Sequence, residues 1–231
     1  MEGGSRSRHS ICGRSAGVNR GTHDLVFLAP DKNIEQALLG LLGRPQAIDI
    51  RAVNVEALVH PNRDPGCFHT GATVLAPFAR SSAHALVVFD KAWGGAPSDD
   101  PAVLAEKVET QLRGDWAQRG RCIVIDPELE NWVWSDSPHV ATTLGWEGRH
   151  PGLREWLAIE GLWPLGSIKP PDPKLAYKRA LRAARLADSS SIFRKLAETV
   201  SFRRCTDPAF QLLIATLREW FPLPSVGHLN S

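Results

Sequence analysis

Two apolar runs decide the fold: Ala85-Leu86-Val87-Val88-Phe89-Asp90 and Cys122-Ile123-Val124-Ile125-Asp126. Short, β-branched and apolar, they read as buried strands of a parallel sheet. Each ends in an aspartate. Sheets of this kind bind ligands outside the carboxyl ends of their strands. Carboxylates placed there can gather a hard divalent cation, because Mg²⁺ takes oxygen ligands. The second run continues as Pro127-Glu128-Leu129-Glu130-Asn131-Trp132. Asp90, Asp126, Glu128 and Glu130 are therefore candidate metal ligands, with Asp90, Glu128 and Glu130 the candidate catalytic residues. Helix capping competes with this reading. If Pro127 starts a helix, Asp126 is its N-cap and Glu128 lies in the first turn, where carboxylates are favoured anyway.

Working outward, Asp24 to Ala29 predicts a first strand, and Pro30-Asp31 opens a helix whose apolar face is Ile34, Ala37, Leu38 and Leu41, stopping at Gly43. Ala47 to Val53 is a second strand candidate. His60 to Gly66 is rich in turn residues, and a helix from His69 to Ala79 leads to the strand ending at Asp90. Gly94 to Asp100 is a loop that caps a helix from Pro101 to Trp116. The alternation predicts an α/β fold, a mostly parallel sheet flanked by helices, over residues 23–140. Helix candidates at Gly152–Gly161, Pro173–Asp188, Ser191–Thr199 and Asp207–Trp220, with no strand among them, predict a basic helical extension over 141–222. Residues 1–22, rich in Gly, Ser and Arg, read as a disordered basic tail, and 223–231 as a loose tail.

Of the 231 residues 43% are hydrophobic, enough for a sizeable core, and the net charge of +2 gives no whole-chain argument for a nucleic-acid partner. The charge is uneven, however. From Lys169 onward eleven Lys/Arg face five Asp/Glu. Lys174, Lys178, Arg182 and Arg185 repeat along one helix face, a stripe that suits phosphate backbones and equally solvates an amphipathic helix. His60, Arg63, Asp64 and His69 surround the Pro/Gly turn, where they line either a site or an ordinary loop. Trp132, Trp134, Trp146, Trp156 and Trp163 crowd one stretch and read first as packing residues, second as stacking platforms for bases.

Several functions are excluded or disfavoured. The four cysteines have neither zinc-ligand spacing nor a disulfide pattern, and fit a cytoplasmic chain. No apolar run approaches the ~18 residues of a membrane span, and the N-terminus lacks a signal peptide's apolar stretch. GxxxxGK, GxGxxG, HExxH and GxSxG motifs are missing, which argues against kinases, nucleotide-binding ATPases, zinc proteases and lipases.

The layout resembles the TOPRIM-like proteins, the metal-dependent fold of topoisomerases, primases and OLD-type nucleases. That family carries a glutamate after the first strand and an Asp-x-Asp after a later one. The corresponding stretches are Phe27-Leu28-Ala29-Pro30-Asp31-Lys32-Asn33 and Val88-Phe89-Asp90-Lys91-Ala92-Trp93. The segment from Asp126 to Trp132, Lys169-Pro170-Pro171-Asp172-Pro173-Lys174 and the stretch from Ser201 to Phe210 resemble a group of bacterial TOPRIM-like proteins. Over about 24–220 the chain is similar to a small subunit of methylation-associated anti-phage defence systems. The glutamate position is Ala29 or Pro30 unless Asp31 substitutes, and the second aspartate is Ala92.

The resemblance implies one of two functions. In the first, the chain is a degenerate TOPRIM-like subunit of an anti-phage system that recognises nucleic acid or partner subunits without cutting. In the second, Asp90 and the acids from Asp126 to Glu130 rebuild an Mg²⁺ site, and the chain is a nuclease acting on phage DNA or RNA. A protein scaffold without nucleic-acid contact is a third outcome. Oligomeric state is left open.

Overall fold

The computed structural model describes residues 22–135, 137–202 and 205–224. The predicted tails, except Thr22, Leu223 and Pro224, lie outside the described residues, as do Arg203 and Arg204.

Four strands form one all-parallel sheet: β1 (His23–Ala29), β2 (Val55–Val59), β3 (Ser82–Asp90) and β4 (Gly120–Ile125), in the order β2-β1-β3-β4. Side chains alternate between two buried faces. Leu25, Phe27, Leu86, Val88, Ile123 and Ile125 enter one apolar cluster. Val26, Leu28, Ala85, Val87, Phe89, Cys122 and Val124 enter the other. Burial on both sides explains why these strands read as continuous apolar runs.

The second face is covered by α2 (Arg63–Leu75) and α3 (Pro101–Trp116). The first is covered by α1 (Lys32–Leu42) and by α4 (Glu130–Val133), α5 (Pro138–Thr143), α6 (Leu153–Ile159), α7 (Pro173–Ala184), α8 (Ser190–Thr199) and α9 (Pro208–Trp220). Buried residues of α7, α8 and α9 share one cluster with those of the sheet. The tryptophans pack in this layer: Trp134 lies edge-on to Trp163 at 5.5 Å, and Trp146 meets Trp156 at 4.8 Å. Two of them also donate to the backbone of α7, Trp134 Nε1 to Pro173 O and Trp146 Nε1 to Ala180 O, which fixes that helix against the core.

Three expectations are corrected. The second strand is Val55–Val59 and not Ala47–Val53. Ile48 and Ile50 are buried in alternation as a strand would bury them. Pro45 instead opens a short 3₁₀ turn, and Asp49 takes a left-handed φ of 57°, which breaks any extended run. The helix expected from His69 begins at Arg63, because Pro65 and Gly66 fall in its first turn, where a missing backbone N–H costs nothing. Finally, Pro127 starts no helix: α4 begins at Glu130, so Asp126 is not an N-cap.

Candidate metal centre at the carboxyl end of the sheet

The chain leaves β1 toward β2 on one side and later returns to β3 on the other. The switch point therefore lies between β1 and β3, where a parallel sheet opens a crevice at its carboxyl end. Asp31 and Asp90 follow from these two strands. Asp31 caps α1, accepting the N–H of Asn33 at 2.9 Å and of Ile34 at 3.1 Å. It contributes charge to the crevice, and its Oδ1 is committed to the helix.

Asp90, Glu128 and Glu130 converge, each offering an oxygen within 4.8 Å of the others. Asp90 ends β3, and the two glutamates follow the adjacent β4. Strand pairing extends past the sheet, with Lys91 N–H donating to Ile125 O and Ala92 N–H to Pro127 O, which draws the two connections together. Glu128 and Glu130 are buried, and among the described residues Asp90 Oδ1 is buried without a hydrogen-bond partner. Asp64, in the first turn of α2, accepts the Asp90 backbone N–H through its Oδ1 at 2.9 Å. Lys174, in the first turn of α7, reaches in from the other layer and donates its Nζ to Glu128 Oε2.

Burial pushes the Asp90 carboxyl well above the usual range, reinforced by the charges of Asp64, Glu130 and Asp31 and opposed by Lys174. Burial likewise raises Glu130, against the pull of Lys174, and raises Asp64 against its hydrogen bond from Asp90. For Lys174 itself burial favours the neutral form, but the bond to Glu128 and the charges of Glu130, Glu128 and Asp90 outweigh it and hold the amine above its ordinary value. The site thus carries more carboxylate than its one lysine can balance.

The donor set fits a hard cation. Oxygens opposite one another across a Ca²⁺-sized ion stand about 4.8 Å apart, and Mg²⁺ draws them somewhat closer. A buried carboxylate oxygen lacking any partner is what such an ion would satisfy.

Asp126, counted among the candidate ligands, stands apart: its side chain is half exposed and its Oδ1 pairs with Lys91 Nζ at 2.7 Å. The basic stripe divides. Lys174 turns inward, Lys178 and Arg182 are exposed on α7, and Arg185 lies past the helix end in a left-handed conformation. In the Pro/Gly turn, His60 is a packing residue. Its Nδ1 accepts the Asn62 N–H, its Nε2 meets Thr70 Oγ1 at 2.9 Å, and burial lowers its pKa. A β-carbon on Gly66 would stand 1.9 Å from its ring, so the close approach requires glycine there.

Asp64, read as lining either a site or a loop, and Lys174, read as part of a basic stripe, make contacts that the sequence did not predict. The signal for Lys174 was Asp172-Pro173, which forms the N-cap and first position of α7 and so places Lys174 in the first turn. An apolar cavity of about 520 Å³, lined by Leu38, Leu41, Trp132, Trp134, Phe193 and Phe210 among others, lies on the helical face, and the carboxylates do not line it.

No known protein family, curated protein or solved structure matches the chain. Among the described residues no helix is long and apolar enough to cross a membrane.

Proposed function

We propose that this chain is a divalent-cation-dependent phosphodiesterase acting on DNA or RNA, a TOPRIM-type nuclease of a bacterial anti-phage defence system. The observation that carries this reading is the convergence of Asp90, Glu128 and Glu130 from the ends of two adjacent strands. The two glutamates supply what Ala92 and the first-strand position lack.

Asp90, Glu128 and Glu130 would hold Mg²⁺, and the Asp64 contact to the Asp90 backbone keeps that strand end in place. When bound, such a cation supplies positive charge to phosphoryl oxygens and lowers the pKa of water. Lys174 adds a cation at the rim, while Lys178 and Arg182 offer charges for neighbouring backbone phosphates. The test is cleavage of plasmid and single-stranded DNA in Mg²⁺ and Mn²⁺, with Asp90→Ala and Glu130→Ala proteins alongside. Metal-dependent cutting that both variants lose is the expected result. Cutting that survives in both variants contradicts the assignment.

One observation favours a second reading, the degenerate subunit that binds nucleic acid or partner subunits without cutting. Lys174 already pairs with Glu128, as a structural ion pair would. That reading predicts salt-sensitive DNA binding and no cleavage in either metal.

A further inference from the structure

Lys174 sits where a cation is called for. Its Nζ is bonded to Glu128 Oε2, and the carboxylates of Asp90 and Glu130 share the same cluster. The backbone around it is held from two directions. The Asp172 side chain caps α7 by accepting the Leu175 N–H at 2.8 Å, and the Trp134 indole donates to Pro173 O at 3.0 Å. The backbone of residue 174 is therefore fixed, whereas the side chain keeps 41% of its surface exposed and has an open route to solvent. A lysine has a flexible four-carbon stem with which to use it. Glu128 is held on the opposite side by a short connection that pairs with the β3 exit through Pro127 O. The carboxylate stays put and the ammonium can leave.

We propose that Lys174 is an exchangeable counter-ion of this site: its ammonium occupies Glu128 when no divalent cation is present and withdraws when one enters, so metal affinity is set by competition with the lysine. The inference rests on the reading of Asp90, Glu128 and Glu130 as a cation site. Two independent features point to a missing ligand beyond the lysine itself. Among the described residues Asp90 Oδ1 is buried without a partner, and the Lys174 ammonium is the one hydrogen-bonded to the three-carboxylate cluster. A divalent ion and an ammonium at the same glutamate repel each other, so each weakens the binding of the other. The released ammonium lies at the start of the α7 face that carries Lys178 and Arg182, where it joins the exposed cations.

The experiment is calorimetric titration of the full chain with Ca²⁺, comparing wild type with Lys174→Met, Lys174→Arg and Glu130→Gln. The expected result is binding at least about tenfold tighter in Lys174→Met, little changed in Lys174→Arg and lost in Glu130→Gln. A second readout needs no variant: amine acylation of wild type, followed by mass spectrometry, should modify Lys174 faster when Ca²⁺ is present. Ca²⁺ binding that depends on Glu130, but with Lys174→Met no tighter than wild type or Lys174 acylation unmoved by the ion, overturns the competition and leaves the cation site standing. No Ca²⁺ binding in wild type or in Lys174→Met overturns both.

Discussion

Asp64 Oδ1 accepts the backbone N–H of Asp90 at 2.9 Å, so the first turn of α2 holds the strand end that presents a candidate metal ligand. The contact joins two carboxylates that repel each other, and burial raises both. It is therefore a positioning contact whose value lies in the N–H it satisfies.

Replacing Asp64 separates these contributions. Asp64→Ala leaves a buried N–H without a partner and should cost about 1–3 kcal/mol. Asp64→Asn keeps an acceptor and removes a poorly solvated charge, so it should stay near wild type. Urea denaturation of the two variants checks this, and equal stability of the two would show that the hydrogen bond contributes nothing.

Asp207 anchors the helical layer to the segment that bears the glutamates. Buried at the N-cap of α9, it accepts from Phe210 N–H at 3.0 Å, Trp132 Nε1 at 2.9 Å and Asn131 Nδ2 at 2.7 Å. Asp207→Ala removes a cap and strands an indole N–H, for an expected loss of about 2–4 kcal/mol. A midpoint shift in urea measures it, together with a change in Trp fluorescence at Trp132.

Gly40 lies where α1 crosses α8. A β-carbon there would stand 2.7 Å from Arg194 O and 2.9 Å from Ala197 Cβ. Gly40→Ala gains about 1 kcal/mol of helix propensity. Forcing two helices apart costs roughly 1–3 kcal/mol, so the net effect should be destabilising, and Gly40→Val more so. Thermal unfolding of the pair gives the order.

His84 predicts the acid limb of stability. Its ring stacks on Trp220 at 4.4 Å, and among the described residues its Nδ1 is buried without a partner. Burial lowers its pKa to about 4, helped by Arg119 and Arg51 and opposed by Glu219 and Asp24. The unfolded chain binds that proton at about pH 6.5. Stability from this group is therefore fully present above about pH 6.5 and is lost as pH falls toward about 4. Stability to urea across that window should fall less steeply in His84→Phe than in wild type.

The outward face of α7 should bind polyanions. Lys178→Ala together with Arg182→Ala should weaken DNA binding and flatten its salt dependence by about one unit for each phosphate that is no longer neutralised. The control substitution Ile159→Ala lies at an exposed position outside that stripe and should change neither.

Much of the fold was legible because both sheet faces are buried, which turns β1, β3 and β4 into unbroken apolar runs. Helices α3 and α9 were legible because Asp-Pro pairs, Asp100-Pro101 and Asp207-Pro208, mark their starts. β2 was misplaced because Ile48 and Ile50 alternate like a strand while Asp49 takes a left-handed turn that only the tertiary structure reveals. For the site, strand-end placement picked out Asp90, Glu128 and Glu130. It also included Asp126, whose partner Lys91 sits on a neighbouring strand exit. Lys174 was read as surface charge because helical periodicity gives a face but not what that face meets.

The most direct test of the cation site is Mn²⁺ titration followed by electron paramagnetic resonance, on wild type and Asp90→Asn. One Mn²⁺ bound per chain in wild type, lost in Asp90→Asn while the fold is retained, is the predicted result. Wild type that leaves the free-ion signal unchanged, or Asp90→Asn that binds as wild type does, would contradict the assignment of Asp90, Glu128 and Glu130 as a metal centre.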